Sequence, residues 1–260
     1  MEKRFLQIVF CLLMLPIVSQ AQFDEIGVVF GTSNYSGDLS ERRVEPLESN
    51  MANGIYVRKK MSDHFGLKMQ FARLVISGDD ANSTEESGLW QRNLSFRSDV
   101  YEIGAIVEWM PLKMKSEETQ FLPYFFTGLA GFYFNPQAEM NGRIYNLQHY
   151  QTEGVDYSLY QIAIPFGAGM KMNLRNRGSL GLEFGWRKTF TDYLDDVSDS
   201  YRQDLRQLDN NLAAQLSYRG TEGNVGDAPN YPNGGTPRGN PKKKDWYVMF
   251  GLTLGINIGQ

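Results

Sequence analysis

Cysteine is nearly absent from this 260-residue chain, with Cys11 the single example, and histidine occurs only at His64 and His149. Cys11 lies inside an N-terminal leader, so the remaining chain offers no disulfide, thiol nucleophile or thiolate metal site. Long apolar runs are missing too. Beyond the N-terminus nothing approaches the roughly 18 continuous apolar residues of a membrane-crossing helix, and the mean hydropathy of −0.41 excludes a helical multispan protein. Net charge is only −4, with no dominant basic stripe, so nucleic acid is not an expected partner. What the chain does have is 26 glycines and 13% aromatic residues, a mixture that suits strands with a crowded interior and aromatic girdles.

The leader is legible at once. Lys3 and Arg4 precede an apolar run from Phe5 to Val18, and Ser19-Gln20-Ala21 is a small-x-small cleavage signal. Residues 1–21 therefore read as a secretory signal peptide, leaving residues 22–260 as one domain. Phe10 before Cys11, and the apolar residues after it, argue against lipoprotein processing.

Near the other end, Trp246, Val248, Phe250, Leu252, Leu254, Ile256 and Ile258 alternate with Tyr247, Met249, Gly251, Thr253, Gly255 and Asn257. Period two means an extended strand with one apolar face. The run far exceeds the usual strand of about 5–6 residues and meets the roughly 9–11 residues of a membrane-crossing strand. The alternation recurs from Ile26, Ile55, Phe65, Tyr101, Tyr160 and Leu180. Phe121–Phe134 is apolar on both faces, leaving its phase open, and Leu74-Val75-Ile76 breaks phase, as at a bulge. These segments make eight strands. Short connections at Lys60–His64, Met110–Gln120 and Leu174–Ser179 alternate with long ones at Tyr35–Asn50, Ser77–Phe96, Asn135–Leu159 and Thr191–Asp245. The expected fold is all-β: an eight-stranded antiparallel transmembrane barrel with short periplasmic turns, long outer loops and both termini periplasmic.

Arg58, Lys68, Lys171 and Arg187 share the lumen phase with Glu102, Glu108 and Glu183. An eight-stranded interior is just filled by side chains, so a paired-charge plug is expected rather than an ion path. In the last long loop Tyr201, Leu205, Leu208, Leu212 and Leu216 recur at helical spacing, predicting a helix over Asp199–Tyr218. With Asp192, Asp195 and Asp196 just before it, this is the candidate protein-contact surface; the short turns are the rival. Asp192, Asp195, Asp196 and Asp199 are close enough to raise calcium, but the glycine turn and closing Glu of a calcium loop are missing, so no metal is expected. Gly220–Lys244 is rich in Gly, Pro and Asn and closes on Lys242-Lys243-Lys244, a solvated run or a contact for lipid phosphates. His149 lies near Glu153 and Ser158, but nothing in the spacing brings them together as a hydrolytic set. No cofactor or small-molecule substrate is expected.

Several segments carry a family resemblance: Glu25-Ile-Gly-Val-Val-Phe-Gly-Thr-Ser-Asn-Tyr-Ser-Gly-Asp38, Ser77-Gly-Asp-Asp-Ala81, Arg92-Asn-Leu-Ser-Phe-Arg-Ser-Asp-Val-Tyr-Glu102, Pro123-Tyr-Phe-Phe, Phe132-Tyr-Phe-Asn-Pro136, Glu183-Phe-Gly-Trp-Arg-Lys-Thr-Phe-Thr-Asp-Tyr-Leu-Asp-Asp-Val-Ser198 and Asp245-Trp-Tyr247. Together they resemble a family of small Bacteroidota outer-membrane barrels that includes PorG of the type IX secretion system. The resemblance implies a non-enzymatic barrel in outer-membrane lipid that anchors a periplasmic ring of PorK/PorN-type proteins. It carries over no catalytic residue. The ending departs from many such barrels, because Gln260 stands where an aromatic residue is common. The other expectations are a structural OmpA-like barrel without a secretion partner and a lipid-modifying enzyme. A soluble ligand-binding barrel would need the apolar phase inside, against the Gly, Lys and Glu found opposite it.

Overall fold

The computed structural model describes residues 23–87, 89–113, 119–207, 212–220 and 231–258. The leader at 1–21 with Cys11, Leu208 of the helical stripe, residues 221–230 of the Gly/Pro-rich stretch and the terminal Gln260 lie outside them.

Eight long strands build the wall: β1 (Glu25–Ser36), β2 (Asn50–Lys60), β3 (Phe65–Asp79), β4 (Ser95–Trp109), β5 (Thr119–Tyr133), then, after a small hairpin of β6 (Pro136–Met140) and β7 (Arg143–Asn146), β8 (Tyr160–Leu174), β9 (Gly178–Thr189) and β10 (Trp246–Asn257). Each wall strand pairs antiparallel with its chain neighbour, and β1 pairs with β10 from Glu25↔Asn257 to Ser36↔Trp246. Together with the β3–β4 ladder this closes the sheet into a barrel, so no wall edge is left unpaired against lipid.

The alternation places side chains as the period demands. On β4, Val100, Glu102, Gly104, Ile106 and Glu108 point inward, whereas Tyr101, Ile103, Val107 and Trp109 are exposed on the outside. On β5, whose sequence left the phase open, Leu122, Tyr124, Phe126, Ala130 and Phe132 are inside and Phe121, Phe125 and Leu129 outside. The outer face carries two aromatic levels. Trp109 stacks on Phe125 near one end at 5.8 Å, and Tyr133 meets Tyr160 near the other at 5.1 Å. From Tyr101 to Trp109 the strand advances about 26 Å. At the usual tilt this gives about 20 Å of height, suited to an apolar membrane band of about 25 Å.

The expected bulge at Leu74-Val75-Ile76 does not form. The β3–β4 register runs unbroken from Phe65↔Trp109 to Asp79↔Ser95. Val75, on the outward phase, is buried because β3 has left the apolar band there and runs beneath the loops. A 15-residue strand such as β3 is longer than a bilayer needs, so the barrel continues as a protein collar beyond it.

The long loops are folded. The β6–β7 hairpin, absent from the sequence expectation, extends the sheet where Gln137 pairs with Arg97. Asn141 and Gly142 turn it at φ 53° and 71°, the left-handed geometry of a tight hairpin. A one-turn helix α1 (Leu147–Tyr150) follows. The helix expected over Asp199–Tyr218 is broken: a 3-10 turn occupies Leu205–Gln207, α2 spans Leu212–Ser217, and Ser200 instead bridges Pro237.

Candidate functional site

The sequence places lysine, arginine and glutamate at inward positions because they would be costly on the lipid side, by about 2–4 kcal/mol each near the midplane. Inside, they meet one another. Glu25 of β1 and Glu108 of β4 both grip Arg58 of β2, with Glu108 Oε2 2.8 Å from Nε. Lys68 of β3 pairs closely with Glu183 of β9 and stands 3.8 Å from Glu108. Lys171 of β8 reaches Glu25 at 3.7 Å. The chain Lys171–Glu25–Arg58–Glu108–Lys68–Glu183 thus crosses the barrel. Nearer the long-loop end, Arg187 of β9 lies 3.4 Å from Glu102 of β4, which also accepts a 2.7 Å hydrogen bond from Tyr247 of β10.

All these side chains are buried. Burying a charge is tolerable when partners and hydrogen bonds compensate for the lost water. Tyr56 and Ser179 both donate to Glu25 at 2.9 Å, and the Tyr56 ring lies 4.9 Å from the Arg58 guanidinium. Ile106, Met110, Leu122, Tyr124 and Phe126 form an apolar cluster packed beside the network, with Ile106 the register partner of Lys68 and Phe126 that of Glu108. The space beside Lys68, Glu183 and Arg187 measures only 10 Å³, about one water position. Glu25 falls outside an alternation that begins at Ile26; its parity with Gly27 and Gly31 is the sequence signal for its inward position.

Above the plug the four long loops form a cap. Arg92 donates to both oxygens of Asp80 at 2.8 and 2.7 Å, to the Asp38 carbonyl at 3.0 Å and to the Arg238 carbonyl. Arg238 donates to Glu153 at 3.0 Å, the Asp196 carbonyl at 2.6 Å and the Ser217 carbonyl at 3.2 Å. Two buried guanidiniums, each a rigid fork of donors, therefore stitch all four loops together.

Asp192, Asp195, Asp196, Tyr201 and Leu205, expected on a protein-contact surface, lie inside this cap instead. Leu212 is half-buried against the main core, and Tyr201 and Leu205 pack with Ala214 and Tyr231. The helical stripe faces neighbouring loops because they offer enough apolar surface to cover it. Asp195 accepts from Tyr35 at 2.5 Å and from the Val197 amide at 2.9 Å. Asp245 accepts from the Leu194 amide at 2.9 Å and from Tyr35 at 3.2 Å. Asp196 is held by Tyr157 at 2.6 Å and by Thr152, and Asp192 by Ser198 at 2.8 Å. Burial pushes Asp192 and Asp196 up to about 6, Asp196 despite the opposing Arg238 charge. Asp195 and Asp245 are raised further by burial and by neighbouring carboxylates, Asp38 and Asp195 respectively.

His149 is exposed and edges onto the Tyr150 ring, Glu153 is committed to Arg238 and the Ser198 amide, and Ser158 bonds the Tyr160 carbonyl. Among the described residues no hydrogen bond joins the three. At the opposite end, His64 is fastened to the Met110 carbonyl at 2.8 Å, while Met61 and Leu112 are exposed.

The sequence profile of a family described as a domain of unknown function, DUF6089, matches residues 3–221. No curated protein matches the chain. Among solved structures, it is similar in fold to Neisserial surface protein A (TM-score 0.44, 8% identity, covering 90% of this chain and 96% of that one). It is also similar to Ail, the attachment invasion locus protein of Yersinia pestis (TM-score 0.41, 9% identity, 91% and 100%). A third is the N-terminal β-barrel domain of Pseudomonas aeruginosa OprF (TM-score 0.39, 9% identity, 91% and 98%).

Proposed function

The chain belongs to the DUF6089 family, and from its sealed interior we propose that it is a non-enzymatic outer-membrane anchor, a fixed body to which other proteins attach. The observation that carries this reading is the double closure of the barrel. A continuous ion-pair network fills the lumen, and a cap of buried arginines and carboxyls covers it. Among the described residues, a barrel so filled leaves no path for solute. What it presents is an apolar belt to lipid and a structured surface at each end. The apolar outside, the secretory leader and the alternation of short and long connections support insertion in the outer membrane with the long loops outside.

The resemblance to Bacteroidota barrels that include PorG supports a more specific form of the proposal: the barrel holds a periplasmic ring of PorK/PorN-type proteins for type IX secretion. Burial of Asp192, Asp195, Asp196, Tyr201 and Leu205 removes them as direct contacts. The short turns, with Met61 and Leu112 exposed, become the favoured attachment point. The test is the secretome of a strain lacking this chain, measured by mass spectrometry beside wild type and a complemented strain. Retention of proteins bearing C-terminal sorting domains, reversed on complementation, is expected. An unchanged secretome removes the secretion role and leaves a structural barrel.

A further inference from the structure

On the outer face of β8, β9 and β10, just below the loops, there is a groove of about 560 Å³. Its floor is aromatic. Phe166 and Trp186 are register partners, and Trp246 meets Phe166 edge-on at 5.9 Å. Its rim is cationic: Arg43 comes from the β1–β2 loop, and Lys243 and Lys244 come from the segment entering β10. Lys188, the register partner of Trp246, adds its ammonium 5.9 Å from that indole ring.

We propose that this groove binds a phosphorylated lipid of the surrounding leaflet, with its acyl chains on the aromatic floor and its phosphate among Arg43, Lys188 and Lys243. The proposal rests on the reading of the chain as an outer-membrane barrel with its long loops outside. That reading makes the lipid a phosphorylated glycolipid.

Three observations fit this occupant. The aromatic residues lie on the lipid-facing phase at the upper edge of the apolar belt, where a headgroup meets its chains. Next, Arg43, Lys188 and Lys243 are exposed and make no salt bridge among the described residues. Lys243 is felt through space by Asp38, and Lys244 is partly committed, 3.6 Å from Asp192. Finally, Glu41, the acid on the rim, already accepts from the Thr84 amide and hydroxyl at 2.9 and 3.0 Å. The excess of positive charge therefore faces the groove. A soluble partner would leave the aromatic floor facing lipid chains, whereas an amphipathic lipid satisfies floor and rim together.

The test uses the full mature chain in detergent and native mass spectrometry, with diphosphorylated lipid A as probe and chemically dephosphorylated lipid A as control. Wild type is expected to retain the phosphorylated form preferentially. Removing two cations in R43Q/K243Q should weaken binding about 25-fold, roughly five-fold per charge at a membrane surface, with K188Q alone giving about five-fold. Heat-modified gel migration verifies that each variant is a folded barrel; all three positions are exposed, and K188Q provides an independent reading. Equal retention of both lipids, or unchanged retention by folded variants, overturns the proposal. So does inorganic phosphate at equal concentration competing as well as the lipid. Orientation is read separately, by labelling N240C on intact cells with a membrane-impermeant maleimide. Failure to label removes the outer-leaflet reading without touching binding by the purified protein.

Discussion

Tyr35, at the top of β1, places its hydroxyl between the carboxyl groups of Asp195 and Asp245, 2.5 Å from one and 3.2 Å from the other. One phenol thereby fastens the two ends of the longest loop to the strand that closes the barrel. Its Oη has one proton to donate, and all three side chains are buried, so the second carboxyl must share that proton or carry its own and donate it to the phenol oxygen. Y35F keeps the ring, which packs edge-on against Phe96 at 4.8 Å, and removes the hydroxyl. Two buried carboxyls then lose a partner, at about 1–3 kcal/mol. The wall should survive while the cap loosens. Limited proteolysis is expected to cut Y35F within 191–245 faster than wild type, with unchanged heat-modified migration. Equal cutting of both proteins would separate Tyr35 from cap stability.

The same carboxyls make the cap sensitive to pH, in a direction that follows from their shifts. Asp192 and Asp196 titrate near 6 in the closed cap, against 3.8 when exposed. Between these values the closed cap holds more protons than the opened one, so stability falls as pH rises through the window. The contribution of these two groups is fully present below about pH 4 and is lost as pH rises through about 6. Asp195 and Asp245, raised further, extend the loss upward. For Asp196 alone the change amounts to about 3 kcal/mol. A nitroxide on N233C, in the exposed part of the loop, should give a broader and more immobilised spectrum at pH 5 than at pH 8. Equal spectra, or greater mobility at pH 5, would remove the buried carboxyls as the control.

The wall was legible in the sequence because one period fixes everything about it. Once Leu252 points to lipid, Gly251 and Thr253 must point inward, and the same parity separates Ile103 from Glu102. Two-sided segments defeated the parity: Phe121–Phe134 has aromatic residues both in the lumen and in the girdle, and Leu74-Val75-Ile76 leaves the membrane band where both faces are covered. The cap was less legible. Its partners are far apart in the chain, 160 residues for Tyr35 and Asp195 and 146 for Arg92 and the Arg238 carbonyl. Helical spacing of Tyr201, Leu205 and Leu212 described an apolar stripe correctly, but the loops around it bury that stripe without a continuous helix. Only the hairpin carried a local signal that went unread, the Asn141-Gly142 pair.

The lumen pair Lys68 and Glu183 separates pairing from packing. E183L alone strands the Lys68 ammonium, leaving it Glu108 at 3.8 Å, and should cost about 3–5 kcal/mol. K68M/E183L removes both charges while Glu108 keeps Arg58, its nearer partner at 2.8 Å. The double variant should lie within about 1 kcal/mol of wild type or above it. Urea unfolding followed by gel migration measures both. A double variant as weak as E183L would mean that shape, rather than charge balance, holds the lumen closed.

Depth in the membrane provides the last test, because it asks the outer face a question the lumen cannot answer. Leu252 lies midway along β10, facing lipid, with Leu182 and Phe30 as its register partners. Ile256 lies on the same face four residues nearer the end of that strand. An arginine at the centre of the hydrocarbon costs about 2–4 kcal/mol, while one near the interface costs about 0–1 because its guanidinium reaches water. L252R should therefore lower the midpoint of unfolding from lipid vesicles markedly, and I256R only slightly. In detergent micelles, which deform around a charge, the two should converge. A soluble barrel would show no such gradient, since both positions would face water in any medium. Equal effects of the two substitutions in vesicles would thus place the apolar belt somewhere other than in a bilayer, and the reading of the whole outer surface would have to change.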